Sequence, residues 1–287
     1  PAPAVAADLQ LIHAPGDGVR VTWLGHASVL LRIGGRNVLI DPVFSWRVAW
    51  VYRRFAAVPL TPAQLPPLDL LLVTHNHYDH LDAPSIAALP RTATVVVPSG
   101  LGRWFLGYGF ARVVELGWWE SVEVGGVTVT LTPARHWSKR GLLDTNASLW
   151  GGYVLQSRGQ SVYHAGDTAA CDVFGEIERR YPGLSAALLP IGGYAPQWFM
   201  QHNHFTPEEA GQAFLDCGAR RLIPIHWGTF QLSDEPLREP IERLRRWWQL
   251  GARSPLQLSV LDIGATLTLG SEEAPLTVRQ RSQSIGD

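Results

Sequence analysis

Four side chains able to ligate a metal lie within the six residues His75-Asn76-His77-Tyr78-Asp79-His80, directly after the apolar run at 68–74. Along an extended backbone residues i and i+2 point the same way, so His75 and His77 share a direction. A turn beyond Tyr78 swings Asp79 and His80 toward a second point. Imidazole nitrogens and a carboxylate suit zinc or a similar divalent ion, and two such points are the layout of a two-metal centre. The alternative is a chance histidine-rich polar loop, which would not need three histidines so close together.

Four ligands cannot complete two sites, so the rest of the chain must supply more, from strand ends where loops gather. Three places qualify. His136 follows the strand expected at 127–132, Asp167 sits in His164-Ala165-Gly166-Asp167-Thr168, and His226 follows the apolar run at 222–225. Singly, each reads as well as a capping Asp or a packed His. With the first cluster they make seven ligands, too many for one tetrahedral site.

These residues need strands to carry them. Short β-branched runs at 19–23, 29–33 and 37–40, with Gly34-Gly35 between the last two, predict antiparallel strands and a hairpin. Further strands are expected at 68–74, 94–98, 112–115, 121–124 and 127–132, with a helix at 83–88. The second half repeats the theme, with strands at 150–156, 161–165, 186–190, 221–224 and 256–260 and helices at 173–180, 207–217 and 236–250. Thr206 can cap the middle helix of that half, Pro207 suits its first turn, and Glu208 and Glu209 suit the positive end of its dipole. Two strand-rich halves with interleaved helices predict two sheets face to face with helices outside, an α+β fold. One domain is expected over 19–270. An Ala/Pro/Gly-rich N-terminal arm at 1–18 and a polar tail at 271–287 flank it, each read as an arm or a frayed end.

The HxHxDH string, followed in order by His136, Asp167 and His226, resembles the signature of the metallo-β-lactamase superfamily. Longer strings narrow the resemblance. Thr22-Trp23-Leu24-Gly25-His26-Ala27-Ser28, Ala134-Arg135-His136-Trp137-Ser138, Ser148-Leu149-Trp150-Gly151-Gly152, Trp198-Phe199-Met200, Thr206-Pro207-Glu208-Glu209-Ala210 and Ile225-His226-Trp227-Gly228-Thr229-Phe230 are similar to the N-acyl-phosphatidylethanolamine-hydrolysing phospholipases D and their bacterial relatives. The resemblance implies a four-layer αββα sandwich. It implies that His75, His77 and His136 hold one metal, that Asp79, His80 and His226 hold the other, and that Asp167 bridges them. It also implies a catalytic part for Asp79 and Asp167, and for a histidine at the start of the helix at 207–217. That histidine is His204, with His202 as a competing candidate. The cofactors expected are two divalent ions, zinc first, with iron or manganese as alternatives.

Two cations about 3.5–4 Å apart can share a water, lower its pKa toward neutrality and clamp the oxygens of a phosphodiester. Hydrolysis at phosphorus is the natural reaction, and the resemblance implies N-acyl-phosphatidylethanolamine as the substrate, giving phosphatidate and an N-acylethanolamine. A lactonase or phosphodiesterase on a small soluble substrate is the second enzymatic reading. A sandwich that kept its metals without turnover is a third, against which the complete ligand set speaks. His26 either supports a metal ligand or packs between the early strands, and His164 reads as a packed residue or a support for a ligand rather than a ligand itself. Cys171 and Cys217 read as small apolar residues.

Composition sets the remaining bounds. With 46% hydrophobic and 17% charged residues the chain can bury a large core, and 24 basic against 25 acidic residues give no general field for a polyanion, so no nucleic-acid partner is expected. No run reaches the roughly 18 apolar residues of a membrane span. Lys139 is the single lysine among many arginines, which with abundant Ala, Gly and Pro reads as the codon usage of a GC-rich bacterium. Met200 is the only methionine, so chain upstream of Pro1 is expected to have been removed. Compartment and oligomeric state stay open. Residues 43–55 combine Trp46, Trp50, Tyr52 and Phe55 with Arg47, Arg53 and Arg54, which fits peripheral contact with a phospholipid surface and equally an Arg-studded loop packed over a sheet.

Overall fold

A computed structural model describes residues 1–270, and the polar tail expected at 271–287 lies outside the described residues. Its first half carries β1 (Val19–Gly25), β2 (Ser28–Ile33), β3 (Arg36–Ile40), the two-residue pair β4 (Arg47–Val48) and β5 (Tyr52–Arg53), then β6 (Leu70–Leu72), β7 (Thr94–Pro98) and β8 (Val113–Leu116). Helices α1 (Leu9–His13), α2 (Ala83–Ala88) and α3 (Gly102–Gly107) accompany them. The second half carries β9 (Ser121–Val124), β10 (Val127–Thr132), β11 (Gly152–Ser157), β12 (Gln160–His164), β13 (Ala186–Pro190) and β14 (Leu222–Ile225). With them run α4 (Val173–Arg180), α5 (Gln197–Met200), α6 (Pro207–Asp216) and α7 (Glu239–Leu250), and β15 (Thr266–Leu269) closes the described chain.

Two sheets result. One has the order β15-β1-β2-β3-β6-β7-β8, antiparallel through β3 and parallel from there to β8. The other has the order β14-β13-β12-β11-β10-β9, antiparallel from β9 to β12 and parallel through β13 and β14. Side chains alternate across a strand, and the first sheet uses that alternation to face two cores. Val38, Ile40, Leu70, Leu72 and Val96 join one core with Val129, Leu131, Tyr153, Leu155 and Val162 of the second sheet. Leu39, Leu71, Val95 and Val97 point the other way and meet Ile86 of α2 and Phe105 of α3. Ile177 of α4, Phe214 of α6 and Leu244 of α7 cover the outer side of the second sheet. The layers are therefore helix, sheet, sheet, helix, as the resemblance implied.

Helix α6 starts with the expected capping box. Thr206 Oγ1 accepts from Glu209 N, and the Glu209 carboxylate accepts from Thr206 N at 2.8 Å. Its Gly211 lies where a Cβ would meet the Trp247 ring at 2.4 Å, which lets α7 approach closely, and Glu208 grips Arg243 of α7 through contacts of 3.0 and 2.7 Å.

Some expectations fail. Residues 256–260 form no strand: Pro255, without an N–H, opens a 3-10 turn, and Leu258 then makes a single bridge to Leu222 of β14. The strand that exists there is β15, whose Thr/Leu alternation pairs antiparallel with β1. Trp150 stays outside β11, its indole donating to Ala134 O at 2.9 Å. The N-terminal arm is docked: Ala2 N donates to Gly228 O at 2.8 Å, Ala4 bridges Ile263, and Ile12 of α1 is buried. No helix among the described residues is long and apolar enough to cross a membrane.

Candidate metal centre

Strands β10, β12, β13 and β14 run in one direction, because β11 is antiparallel to both β10 and β12 while β13 and β14 are parallel to β12. Their C-terminal ends thus share one edge, and His136, Asp167 and His226 lie just past β10, β12 and β14. The 75–80 loop after β6 meets this edge directly. Gly151 N donates to Thr74 O at 3.1 Å, and a Cβ on Gly166, which has φ +63°, would stand 2.8 Å from Gly151 O and 2.9 Å from Thr74 Cβ. Only glycine fits there. His164 secures the same turn, its Nδ1 accepting from Gly166 N at 3.1 Å while its Nε2 donates to Ala27 O at 3.0 Å, so it is a buried bracing residue.

All seven sequence-predicted ligands converge, in two groups. In the first, His77 Nδ1 lies 2.9 Å from His75 Nε2 and 3.2 Å from His136 Nε2. The other nitrogens of His75 and His136 are already committed: His75 Nδ1 donates to Thr74 Oγ1 at 3.0 Å and His136 Nδ1 to Asn203 O at 3.0 Å. The Nε2 atoms of His75 and His136 therefore carry lone pairs aimed at one point, which a cation would satisfy. In the second group, Asp79 Oδ2 is 3.5 Å from both His80 Nε2 and His226 Nε2, and Asp167 Oδ2 is 3.3 and 3.2 Å from the same two nitrogens. Ligand atoms on a tetrahedral ion with bonds of 2.0–2.1 Å stand about 3.4 Å apart, so these four atoms have the spacing of a coordination shell. Asp167 Oδ2 also lies 3.9 Å from His136 Nε2, between the two groups. His80 Nε2, His226 Nε2 and Asp167 Oδ1 are buried without a hydrogen-bond partner. The donor set fits two divalent ions.

Sequence reasoning missed the braces. Asp41, just past β3, accepts from His80 Nδ1 at 2.7 Å, from Thr74 Oγ1 at 2.7 Å and from Thr74 N at 2.8 Å. One buried carboxylate thus fixes His80 directly and His75 through Thr74. An Asp at a strand end, the same placement that singled out Asp167, was the available signal. His26 is inside the centre, its Nε2 donating to Asp79 Oδ2 at 2.8 Å. His204 also belongs, with Nδ1 3.9 Å from Asp167 Oδ2, whereas His202 faces Arg135, whose guanidinium donates to it at 3.1 Å.

The two groups differ in their electrostatics. Burial alone would raise the Asp79 and Asp167 pKa values, but the surrounding imidazoles, His80 and His226 foremost, hold both well below the usual carboxylate range. Burial alone would likewise lower the pKa values of His80 and His226. Asp167 and its neighbours instead keep His80 well above an ordinary histidine and raise His226 to about 9. His75 and His136 go the other way, driven well down by burial, and burial takes His204 down to about 4.

In front of the ligands opens a cleft of about 360 Å³, walled by Val48, Tyr52, Trp137, Phe199, Met200 and Leu232, with Asp79, Asp167, His204 and His226 at its floor. Next to the cleft, Trp50, 79% exposed, packs against Tyr78, and Trp198, 75% exposed, against the 62% exposed Phe199; Trp46, Tyr52 and Phe55 are exposed as well. Arg54 does not join them. It is 1% exposed, donates to Val43 O and Ser45 O, and lies over the Phe230 ring, so of the three arginines at 43–55 only Arg47 and Arg53 face solvent. Cys217 is buried, with its thiol pushed up to about 12, and Cys171 is half-buried; neither forms a disulfide.

Comparison with known proteins agrees with this geometry. The Beta-lactamase superfamily domain matches residues 36–227. N-acyl-phosphatidylethanolamine-hydrolyzing phospholipase D 1 of Caenorhabditis elegans is 37% identical over 79% of this chain and 69% of its own length. A UPF0173 metal-dependent hydrolase of Rubrobacter xylanophilus is 36% identical over 74% of this chain and 83% of its own. Among solved structures, one described as a possible metal-dependent hydrolase from Veillonella parvula superposes with a TM-score of 0.71 at 19% identity, covering 88% of this chain and all of that one.

Proposed function

The chain belongs to the metallo-β-lactamase superfamily and is a metal-dependent hydrolase, and from that premise we propose that it is a two-metal phosphodiesterase of the phospholipase D type. It hydrolyses N-acyl-phosphatidylethanolamine-type phospholipids to phosphatidate and an N-acylethanolamine. The observation that carries this reading is the apolar cleft opening directly onto the convergent ligands. A small polar substrate needs no such walls, whereas acyl chains need apolar surface to leave water. The nematode relative's named substrate class supports the same reading.

His75, His77 and His136 would hold one divalent ion, Asp79, His80 and His226 the other, and Asp167 would reach both, with zinc best matched to these donors. Such a pair supplies a water nucleophile at neutral pH and neutralises the charge growing on phosphorus. The protein does the rest. Asp41 and Thr74 hold His75 and His80 in one tautomer. His204 stands at the cleft floor, where its imidazole can hydrogen-bond a phosphoryl or leaving-group oxygen. Trp137, Phe199 and Leu232 line the walls for acyl chains and exclude water. At the mouth, Trp46, Trp50, Trp198 and Phe199 supply apolar contact with a lipid surface, and Arg47 and Arg53 meet its phosphates.

The test is hydrolysis in heavy-oxygen water, with N-acyl-phosphatidylethanolamine in mixed micelles and a short-chain soluble phosphodiester in parallel. Label is expected in phosphatidate, with the micellar substrate preferred. Label in the N-acylethanolamine would reject attack at phosphorus. Equal efficiency on the soluble diester would reject the lipid interface and favour a small soluble substrate.

A further inference from the structure

We infer that His26 is the positioning residue that orients Asp79 as a ligand of the second cation, through the 2.8 Å hydrogen bond from its Nε2 to Asp79 Oδ2. The inference rests on the two-cation reading above and adds a residue to it. The distance is the first argument. The contacts from Asp79 Oδ2 to His80 and His226 are both 3.5 Å, the spacing of atoms that share an ion, whereas 2.8 Å is a charge-assisted hydrogen bond. A carboxylate oxygen has two lone pairs. His26 occupies one and leaves the other toward His80 and His226.

His26 is also firmly held. It sits in the turn between β1 and β2, 2% exposed, with φ +54°, a left-handed backbone that a residue with a Cβ adopts only under constraint. The constraints are visible. Its N–H donates to Thr229 Oγ1 at 2.8 Å, and its carbonyl accepts from the Trp23 indole at 2.8 Å and from His226 N at 2.9 Å. Its ring lies 3.9 Å from the His226 ring and meets the edge of Phe230 at 5.2 Å. His226 is itself left-handed, with φ +60°. Backbone and ring contacts thus lock the two histidines together, and both direct Nε2 at the same oxygen.

Third, Asp79 depends on it. Its side chain is 15% exposed, on a turn, and among the described residues its polar contacts are to histidine nitrogens alone. An unbraced carboxylate can rotate or chelate through both oxygens. His26 selects one oxygen and one lone pair, and in doing so ties the 75–80 loop of the first sheet to the His226 turn of the second.

The experiment uses the full chain stripped by chelator and titrated with Zn²⁺ against a chromophoric competitor, then with Co²⁺ to read coordination by visible absorption. His26→Leu removes the donor. His26→Gln returns an amide N–H near the position of Nε2, and His26→Asn places it one methylene short. Two equivalents are expected for the unmodified chain. His26→Leu should keep the first and lose affinity for the second by about 10–100-fold, with an altered Co²⁺ spectrum, and His26→Gln should recover most of both. Retention of the second equivalent at full affinity in His26→Leu overturns this inference alone. A Gln variant no better than Leu makes His26 a direct ligand and overturns it as well. A single equivalent in the unmodified chain overturns the two-cation reading together with this one. Should the Leu variant not fold, Gln must still bind the second equivalent about tenfold more tightly than Asn, and equal affinities would overturn the role.

Discussion

The two sheets deliver the proposed ligands in opposite ways. The first places His75, His77, Asp79 and His80 on one loop after β6, and a single carboxylate, Asp41, braces two of them. The second sends out His136, Asp167 and His226 one at a time from the ends of β10, β12 and β14, each with its own support. Asn203 O takes the His136 Nδ1–H, the Gly166 turn carries Asp167, and the carbonyl of His26 receives the His226 N–H. A loop cluster concentrates ligands where one brace governs several. A dispersed set spreads them so that each fails separately. The difference predicts which substitutions act on both cations and which on one group.

The largest effect is expected at Asp167, the only dispersed ligand within reach of both groups. Asp167→Asn should cut kcat by more than the 10–100-fold typical of lost supporting contacts, with an unchanged far-UV circular dichroism spectrum. Near-normal turnover would remove the bridging role and with it the distinction between Asp167 and its two neighbours. Asp41→Asn comes next. Because His80 and, through Thr74, His75 both depend on it, affinity for both zinc equivalents should fall by about 10–100-fold. Loss confined to one equivalent, read by the same competition titration, would mean that the loop has no shared brace. The smallest effect belongs to the outer helices. The half-exposed Glu208–Arg243 pair joins α6 to α7, so Glu208→Gln should lower stability by about 1 kcal/mol or less and leave activity unchanged. A change in kcat there would show that the outer helix layer helps set the centre.

The same contrast decided what could be read from the sequence. The loop cluster is legible because its ligands are neighbours in the chain, and the strand-end trio because each follows a recognisable apolar run. Asp41 was missed because it is 39 residues from His80 and meets it only once β3 and β6 pair. His26 was seen without its role, since nothing local shows that a turn between β1 and β2 touches Asp79. In the fold, β15 escaped because alternating Thr and Leu make a weak strand pattern, and 256–260 misled because apolar content outweighed the warning of Pro255. The arginines at 43–55 read alike in sequence. Only packing separates the buried Arg54 from the exposed Arg47 and Arg53.

The seam at Gly166 has a consequence for how this sequence can change. There the loop after β6 meets the strand ends at close range: Gly151 N bonds Thr74 O, and Gly166 leaves no room for a Cβ beside Gly151 O and the Thr74 side chain. The spacing between the loop and the strand ends is therefore set by a datum that no core side chain occupies. Leu, Ile and Val in the layer between the sheets can be exchanged, and the packing there can drift, without moving that reference. The glycines at 151 and 166 lack that latitude, since a Cβ at 166 presses on Thr74 of the facing loop and one at 151 on Thr132 O of β10.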